Sequence, residues 1–153
     1  MSCCDEGVRV GDGVRLVVFE PAHLAALDPP AFDPAQLRRF AAAYRPAGPA
    51  FTLMEMDRPL GSAGLLIEAG EGRAWAFLSK RLRRRPMLLH RTVARALPAL
   101  MAHYELQAVT AEAHAAFAAA RRWLTRLGFH HETTLPAFAG TTETYKRYRR
   151  WAH

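Results

Sequence analysis

The sequence predicts an α/β fold, with a mixed β-sheet flanked by helices in the order β-α-α-β-β-β-α-β-α-β-β. Two observations predict it. Three short strand-like segments separated by turn residues occupy the middle of the chain, and two long amphipathic segments follow, each leading into another strand-like segment. Because a helix that connects two strands of one sheet implies parallel pairing through a crossover, we expect parallel and antiparallel pairs together.

The first third of the chain predicts one strand and two helices. Val14–Phe19 is apolar and rich in β-branched residues, which favours a strand. Pro21–Leu27 predicts a short helical turn. The pair Asp33-Pro34 places an N-cap residue before a proline at the first helical position, so a helix is expected to run through Gln36 to Tyr44.

The rest of the chain supplies six more strands and two longer helices. The predicted strands are Phe51–Met56, Ser62–Glu68, Arg73–Ser79, Leu106–Ala111, Phe129–Leu135 and the last one, Thr141–Tyr148, and the predicted helices are Pro86–Tyr104 and His114–Leu127. Apolar residues recur at helical spacing in both helices. Gly128 follows the second of them, where a glycine allows a left-handed cap.

Composition and charge place the chain among globular proteins with a basic second half. The 153 residues are 50% hydrophobic and 23% charged, which is too apolar for a disordered chain. The formal net charge is +7, but 15 basic and only 4 acidic residues lie from Arg73 onward. This asymmetry favours an anionic partner such as phosphate or nucleic acid, or a basic solvated surface.

The chain ends and cysteines predict a protein of a reducing compartment. Cys3 and Cys4 are adjacent, so a disulfide between them would be strained. The first residues lack the pattern of a secretory signal, and no apolar run suits a membrane span. We expect one domain over residues 1–153, with a flexible segment 1–12, a basic tail 149–153, and a cytoplasmic location, or a virion for a phage-derived protein.

One motif resembles the GNAT superfamily of N-acetyltransferases. The stretch Arg121–Phe129 reads Arg-Arg-Trp-Leu-Thr-Arg-Leu-Gly-Phe, and in that family a helix ends in a Leu-Gly-Phe turn that leads into a strand. With the element order, the resemblance covers about Val14 to Tyr148. It implies an acyl-CoA-dependent N-acyltransferase that transfers an acetyl group from acetyl-CoA to an amine of a small molecule or protein.

The resemblance also implies where the cofactor lies. Its pantetheine arm would follow Phe77, Leu78 and Ser79, and its pyrophosphate would lie at a helix amino end, where backbone N–H groups favour anions. The residues implied at the phosphates are Arg81, Arg83, Arg84, Arg85 and Met87. Ser79 can alternatively cap the following helix.

The phosphate loop departs from the family pattern. The family pattern is Gln/Arg-x-x-Gly-x-Gly/Ala, and here Arg84 and Pro86 replace its two small residues. A proline removes one N–H donor, so arginine side chains can bind the anion instead of the backbone. The alternative is a basic, solvated helix entry with no ligand. Two cofactor positions on the next helix also differ, where Phe117 and Leu124 replace a common Asn and Tyr; packing is the simplest role for both.

Two carboxylates are candidates for the catalytic base. Removal of a proton from the acceptor amine requires such a group. Glu112 follows the strand Leu106–Ala111, and Glu55 lies on an earlier central strand. Either can instead be a surface carboxylate or the ion-pair partner of an arginine. We expect no metal site, because His130 and His131 are neighbours on one strand and point to opposite faces.

Two other function classes stay open. A loop without the glycines and with Pro86 also resembles that of the GNAT-like proteins of tailed phages, some of which are virion components. This second resemblance implies a non-catalytic structural protein that binds other virion proteins. The segment Lys146–Trp151 mixes basic and aromatic residues, which is typical of nucleic-acid binding and also of a solvated strand end.

Overall fold

The computed structural model describes residues 7–11, 13–28, 35–36, 38–39, 48–136 and 143–152. Its helices and strands, in chain order, are β1 (Val8–Gly11), β2 (Val14–Val18), α1 (Ala22–Ala25), β3 (Ala50–Glu55), β4 (Arg58–Glu68), β5 (Glu71–Leu78), α2 (Lys80–Arg83), α3 (Pro86–His103), β6 (Ala108–His114), α4 (Ala118–Arg126), β7 (His130–Leu135) and β8 (Tyr145–Trp151). In the described part of the chain, none of the helices is long and apolar enough to cross a membrane.

The chain divides into two units. Unit 1 is Met1–Leu65 with Trp75–Leu89, and unit 2 is Leu66–Ala74 with His90–His153. In unit 1 the strands hydrogen-bond in chain order from β1 to β5, and in unit 2 the order is β4-β5-β6-β8-β7. The boundaries between the units fall inside β4, β5 and α3.

The predicted fold class, a mixed sheet with helices, is confirmed. In unit 2, β5 and β6 pair in parallel, whereas β8 pairs antiparallel with both β6 and β7. In unit 1 the pairs β1–β2, β2–β3 and β3–β4 are antiparallel. The two long helices and the strands that the sequence predicts are present with shifted ends. The helix predicted from Gln36 to Tyr44 and its cap Asp33 lie mostly outside the described residues.

Two predicted chain ends are corrected. Val8–Gly11 was expected to be part of a flexible segment, but it forms β1 on the open edge of β2, where its backbone groups find partners. Residues 1–6 and Asp12 lie outside the described residues. The predicted basic tail begins inside the sheet, because β8 continues to Trp151 and its ladder with β6 includes Arg149 and Arg150.

Unit 1 has an apolar core with a small polar network beside it. The core cluster packs leucines from β3, β4, α2 and α3 around one valine of β2; its buried members are Val14, Leu53, Leu60, Leu82 and Leu88. In the network, the Glu20 N–H donates to His23 Nδ1 at 3.1 Å, and Thr52 Oγ1 lies 2.7 Å from the same nitrogen. Thr52 also bonds the buried Ser62 hydroxyl at 2.9 Å. Burial lowers the pKa of His23, while the Glu20 carboxylate opposes that shift.

Unit 2 places α4 on a core of small and aromatic residues. Ala108 and Val109 of β6 are fully buried, as is Phe129 beyond the helix. Gly128 has φ +89°, so the left-handed cap predicted at this position is confirmed. The Phe129 N–H then donates to the Leu124 carbonyl oxygen at 3.0 Å, which closes the helix end. The helix α4 is thereby held by its Leu-Gly-Phe turn.

Candidate functional site

The first candidate feature is the segment Lys80–Arg85, which we call the arginine turn. Ser79 precedes it in extended conformation, and its buried hydroxyl accepts a hydrogen bond from the Leu82 N–H at 3.2 Å. The Ser79 N–H donates to the Leu60 carbonyl oxygen at 2.9 Å, and the Lys80 N–H to the Asp28 carbonyl oxygen at 3.0 Å. Of the two roles expected for Ser79, the structure shows the helix cap.

The arginine turn uses its own backbone donors. The Arg83 N–H donates to the Ser79 carbonyl oxygen and the Arg84 N–H to the Lys80 carbonyl oxygen, both at 3.2 Å. The Arg85 N–H donates to the Leu82 carbonyl oxygen at 2.9 Å. Together with the Leu82 N–H, four successive donors are therefore occupied within the turn. A phosphate beside Leu82–Arg85 would therefore bind through side chains and not through these four N–H groups.

Leucines fix the direction in which the arginines point. Leu82 of α2 and Leu88 of α3 are buried in the same cluster of unit 1. Gly61 of β4 makes room for this packing, since a Cβ there would lie only 2.7 Å from Leu82 Cδ2 and 3.2 Å from the Phe77 carbonyl oxygen. Because both leucines turn inward, the side chains of Arg81, Arg83 and Arg84 are exposed.

The exposed arginines have no acidic partner, whereas Arg85 has one. In the described residues no ion pair or side-chain hydrogen bond involves Arg81, Arg83 or Arg84. Arg85 Nη1 donates to Glu55 Oε2 at 2.8 Å, with both side chains about 31% exposed. Glu55 is therefore an ion-pair partner in this structure, which is one of the roles expected for it.

The other implied cofactor residues divide between core and surface. Phe77 packs against Trp75, with ring centroids 5.9 Å apart, and Leu78 packs on the leucine cluster of unit 1. Their side chains are committed to packing, so only their backbone groups can meet a ligand. Met87 is 75% exposed at the start of α3 and lies beside the arginines in sequence.

Glu112 lies on β6, beyond the point where this strand stops pairing with β5. The parallel ladder joins Glu71, Gly72 and Arg73 to Ala108–Thr110, and β6 continues for four more residues. Glu112 Oε1 accepts a hydrogen bond from Arg147 Nε at 3.3 Å, across the β6–β8 pair. The Glu112 side chain is only 11% exposed. This nearly buried carboxylate is an ion-pair partner too, and its second oxygen has no partner in the described residues.

Two of the three arginines of β8, Arg147 and Arg149, are paired with carboxylates on three other strands. Arg149 Nε donates to Glu132 Oε1 at 2.8 Å, and Arg149 Nη1 donates to Glu71 Oε1. These bonds, with that to Glu132 first, raise the pKa of Arg149 above its ordinary value. The Arg149 guanidinium also lies 5.2 Å from the centre of the Trp151 ring. In the predicted nucleic-acid-binding segment, carboxylates thus neutralise the positive charges of Arg147 and Arg149.

Helix α4 shows one packing prediction confirmed and one wrong. Leu124 is buried, as expected from its spacing. Phe117 is 64% exposed, because it stands at the N-cap position, before the helical periodicity begins, and contacts only the ring of His114 among the described aromatic pairs. Sequence reasoning also missed the close packing at Gly61 and the pairing of Arg147 with Glu112. An isolated glycine in a strand indicates a close approach of another element, which is the role that Gly61 has.

Comparison with known proteins identifies the fold. No family model matches the chain, and no curated protein sequence matches it. Solved structures of N-acetyltransferases match nearly the whole chain, so the chain has the GNAT fold and the predicted resemblance is confirmed at that level.

Three of these structures show how complete the match is. The ribosomal-protein-S18-alanine N-acetyltransferase of Escherichia coli is 16% identical, with 91% of this chain and 94% of that chain covered and a TM-score of 0.73. Ard1 from Thermoplasma volcanium is 14% identical, with 92% and 99% covered and a TM-score of 0.73. A ribosomal L7/L12 alpha-N-protein acetyltransferase in complex with coenzyme A is 15% identical, with 97% and 100% covered and a TM-score of 0.69. None of the three is a phage protein, so the phage branch stays a prediction.

Proposed function

We propose that the protein is an acyl-CoA-dependent N-acyltransferase that transfers an acetyl group from acetyl-CoA to an amine. The observation that supports it best is the GNAT fold, matched over nine-tenths or more of both chains by N-acetyltransferases, one of them solved with coenzyme A. A fold alone does not define a reaction, so the proposal also depends on what the candidate residues can do.

The arginine turn fits the phosphates of such a cofactor. Arg81, Arg83 and Arg84 present three exposed guanidinium groups at the amino end of α3, and no carboxylate of the described residues pairs with them. Guanidinium groups bind phosphate oxygens in bidentate fashion, and the positive end of the helix dipole adds to their attraction. Because the N–H groups of Leu82–Arg85 are occupied, the arginine side chains hold the anion. Arg85 is held back by Glu55 and orients the turn.

Glu112 is the better candidate for the catalytic base. Bound acetyl-CoA supplies an acetyl thioester, and the amine that attacks it must lose a proton. Glu112 Oε2 can accept that proton, directly or through a water molecule, while Oε1 is held by Arg147 at 3.3 Å. Glu55 binds Arg85 at the shorter distance of 2.8 Å, which commits it to the arginine turn.

Calorimetric titration with acetyl-CoA tests the cofactor. We expect saturable binding that weakens by about tenfold or more in Arg83→Gln/Arg84→Gln, since each charge-assisted hydrogen bond to phosphate is lost. The control is Arg58→Gln/Arg95→Gln, which removes two exposed arginines elsewhere and the same charge. Equal weakening in both double variants, or the absence of binding to the unmodified protein, contradicts the proposal.

Acetylation assays test the reaction and its base. Spermidine and a peptide with an amino-terminal alanine are suitable acceptors, because structural neighbours are named for such amines. We expect Glu112→Gln to lower kcat by roughly 10²-fold or more with little change in acetyl-CoA affinity, and Glu55→Gln to have a smaller effect. A larger loss of kcat in Glu55→Gln would transfer the role of base to Glu55.

A further inference from the structure

A shallow depression on unit 2 has no role in the proposed reaction. It has a volume of about 260 Å³ and is lined by Ala118, Arg121, Arg122 and Thr125 of α4 and by Tyr148 of β8. The four helix residues form one stripe, because positions three and four apart lie on the same side of a helix. Tyr148 is buried and forms the floor on the sheet side. The depression is therefore formed by secondary structure elements and not by loops.

The arginine side chains of this depression have no partners. Arg121 Nε is buried, and no hydrogen-bond acceptor reaches it in the described residues. Neither Arg121 nor Arg122 takes part in an ion pair there. Nε itself is closed to solvent, so a ligand in the depression would meet the Nη donors of Arg121 and Arg122, which have no carboxylate partner among the described residues. Guanidinium donors of this kind favour a ligand with oxygen atoms.

The rest of the helix offers nothing that neutralises these charges. The sequence of α4 contains three arginines and no acidic residue. Thr125 donates its hydroxyl hydrogen to the Arg121 carbonyl oxygen at 3.1 Å, so it is not a free donor for an anion. Ala118 begins the helix, where the helix dipole is positive. The electrostatic field in the depression therefore comes from two guanidinium groups and a helix end of the same sign.

We propose that this depression binds a phosphoryl group, as inorganic phosphate or as the phosphate of a small monoester. Two adjacent guanidinium groups match the charge of a phosphate dianion better than that of a single carboxylate, and both present donors in a fork that fits phosphate oxygens. The depression lies within unit 2 and does not depend on the proposed acyl transfer.

Calorimetric titration of the full chain with inorganic phosphate, at constant ionic strength and without coenzyme A, tests this site. We expect saturable binding that weakens by about tenfold or more in Arg121→Gln and in Arg122→Gln. Arg126→Gln is the matched control, because it removes the same charge from the same helix outside the depression. It should bind phosphate like the unmodified protein.

The possible outcomes distinguish a specific phosphate site from nonspecific electrostatic binding. No saturable binding to the unmodified protein, or an equal loss in all three variants, overturns the proposal. A parallel titration with ribose 5-phosphate distinguishes the two sources of the phosphoryl group. Tighter binding of ribose 5-phosphate would mean that the depression also binds the sugar of a monoester. Tighter binding of inorganic phosphate would mean that the site is for the free ion. Thermal melting of each variant confirms that it is folded.

Discussion

The arginine turn has four arginines and strand β8 has three, but the two regions use them differently. In the arginine turn, Arg81, Arg83 and Arg84 are exposed and have no ion-pair partner among the described residues. In β8, Arg147 and Arg149 meet carboxylates from β5, β6 and β7. The comparison teaches that a count of positive charges does not show which arginines are available to an anion. The available arginines are those for which the described part of the fold supplies no acidic partner.

The physical origin of the difference is the local geometry. Alternate residues of a strand share one face, so the register of β8 places Arg147 directly opposite Glu112 and keeps Arg149 on the same face. The arginine turn is helical and not part of a strand ladder, so no strand register sets its side chains opposite carboxylates. It is held from inside by Leu82, and its first turn contains no acidic residue.

The largest effect is expected from the anchor of the arginine turn. Leu82→Ala should lower the free energy of unfolding by about 2–5 kcal/mol, because a fully buried leucine is removed from the core of unit 1. Met87→Ala removes an exposed apolar side chain nearby and should change it by less than about 0.5 kcal/mol. Urea unfolding measures both. Similar losses would show that the turn is not anchored by Leu82.

A smaller loss is expected from the paired region. Arg149→Ala should cost roughly 1 kcal/mol of stability, since surface ion pairs contribute little singly but Glu71 and Glu132 share this guanidinium. Arg81→Ala should change the stability by less than about 0.5 kcal/mol, because it breaks no ion pair. Equal effects in urea unfolding would remove the distinction between paired and unpaired arginines.

The polar network of unit 1 gives a prediction about pH. Burial lowers the pKa of His23 below its unfolded value of 6.5, so the unfolded chain binds more protons when the pH falls through that value. The contribution of His23 is therefore complete above about pH 6.5 and decreases at lower pH. His23→Asn keeps an acceptor near Nδ1 but cannot titrate, so its stability should fall less between pH 7.5 and 5. Parallel unfolding curves across that range would contradict the prediction.

The smallest effect is expected from the unpaired arginines themselves. Arg83→Gln/Arg84→Gln should leave the free energy of unfolding unchanged or raise it by up to about 0.5 kcal/mol, because neighbouring like charges repel each other. Thermal melting at low and high salt measures it, and the gain should disappear at high salt. A clear loss of stability would mean that these side chains have structural partners.

The sequence predicted elements with strong periodicity and missed those that depend on distant partners. Helix α3 and the cap at Gly128 follow from local pattern, and both were found. Strand β1 and the end of β8 exist because a neighbouring strand offers hydrogen bonds, which no short window of sequence records. The helical turn α2 consists of charged residues around Leu82, so it has no apolar stripe to predict it.

The residues of the candidate site were predictable from the sequence, but the ion pairs that its carboxylates form were not. The arginine cluster and Glu112 are visible in the sequence because of their types and positions. The ion pair between Glu112 and Arg147 joins residues 35 positions apart, and that between Glu55 and Arg85 joins residues 30 positions apart. Such pairs depend on strand register and on packing, so the sequence left the roles of both carboxylates open.

Backbone N–H groups of the arginine turn donate to acceptors in Ser79 and in the turn itself, and this has an evolutionary consequence. A loop that grips a ligand with main-chain amides keeps its grip through most mutations, because every residue type except proline supplies the same N–H group. Here the backbone amides from Leu82 to Arg85 already have partners. In the proposed site, recognition by guanidinium side chains can be changed or lost through single substitutions while the scaffold remains intact.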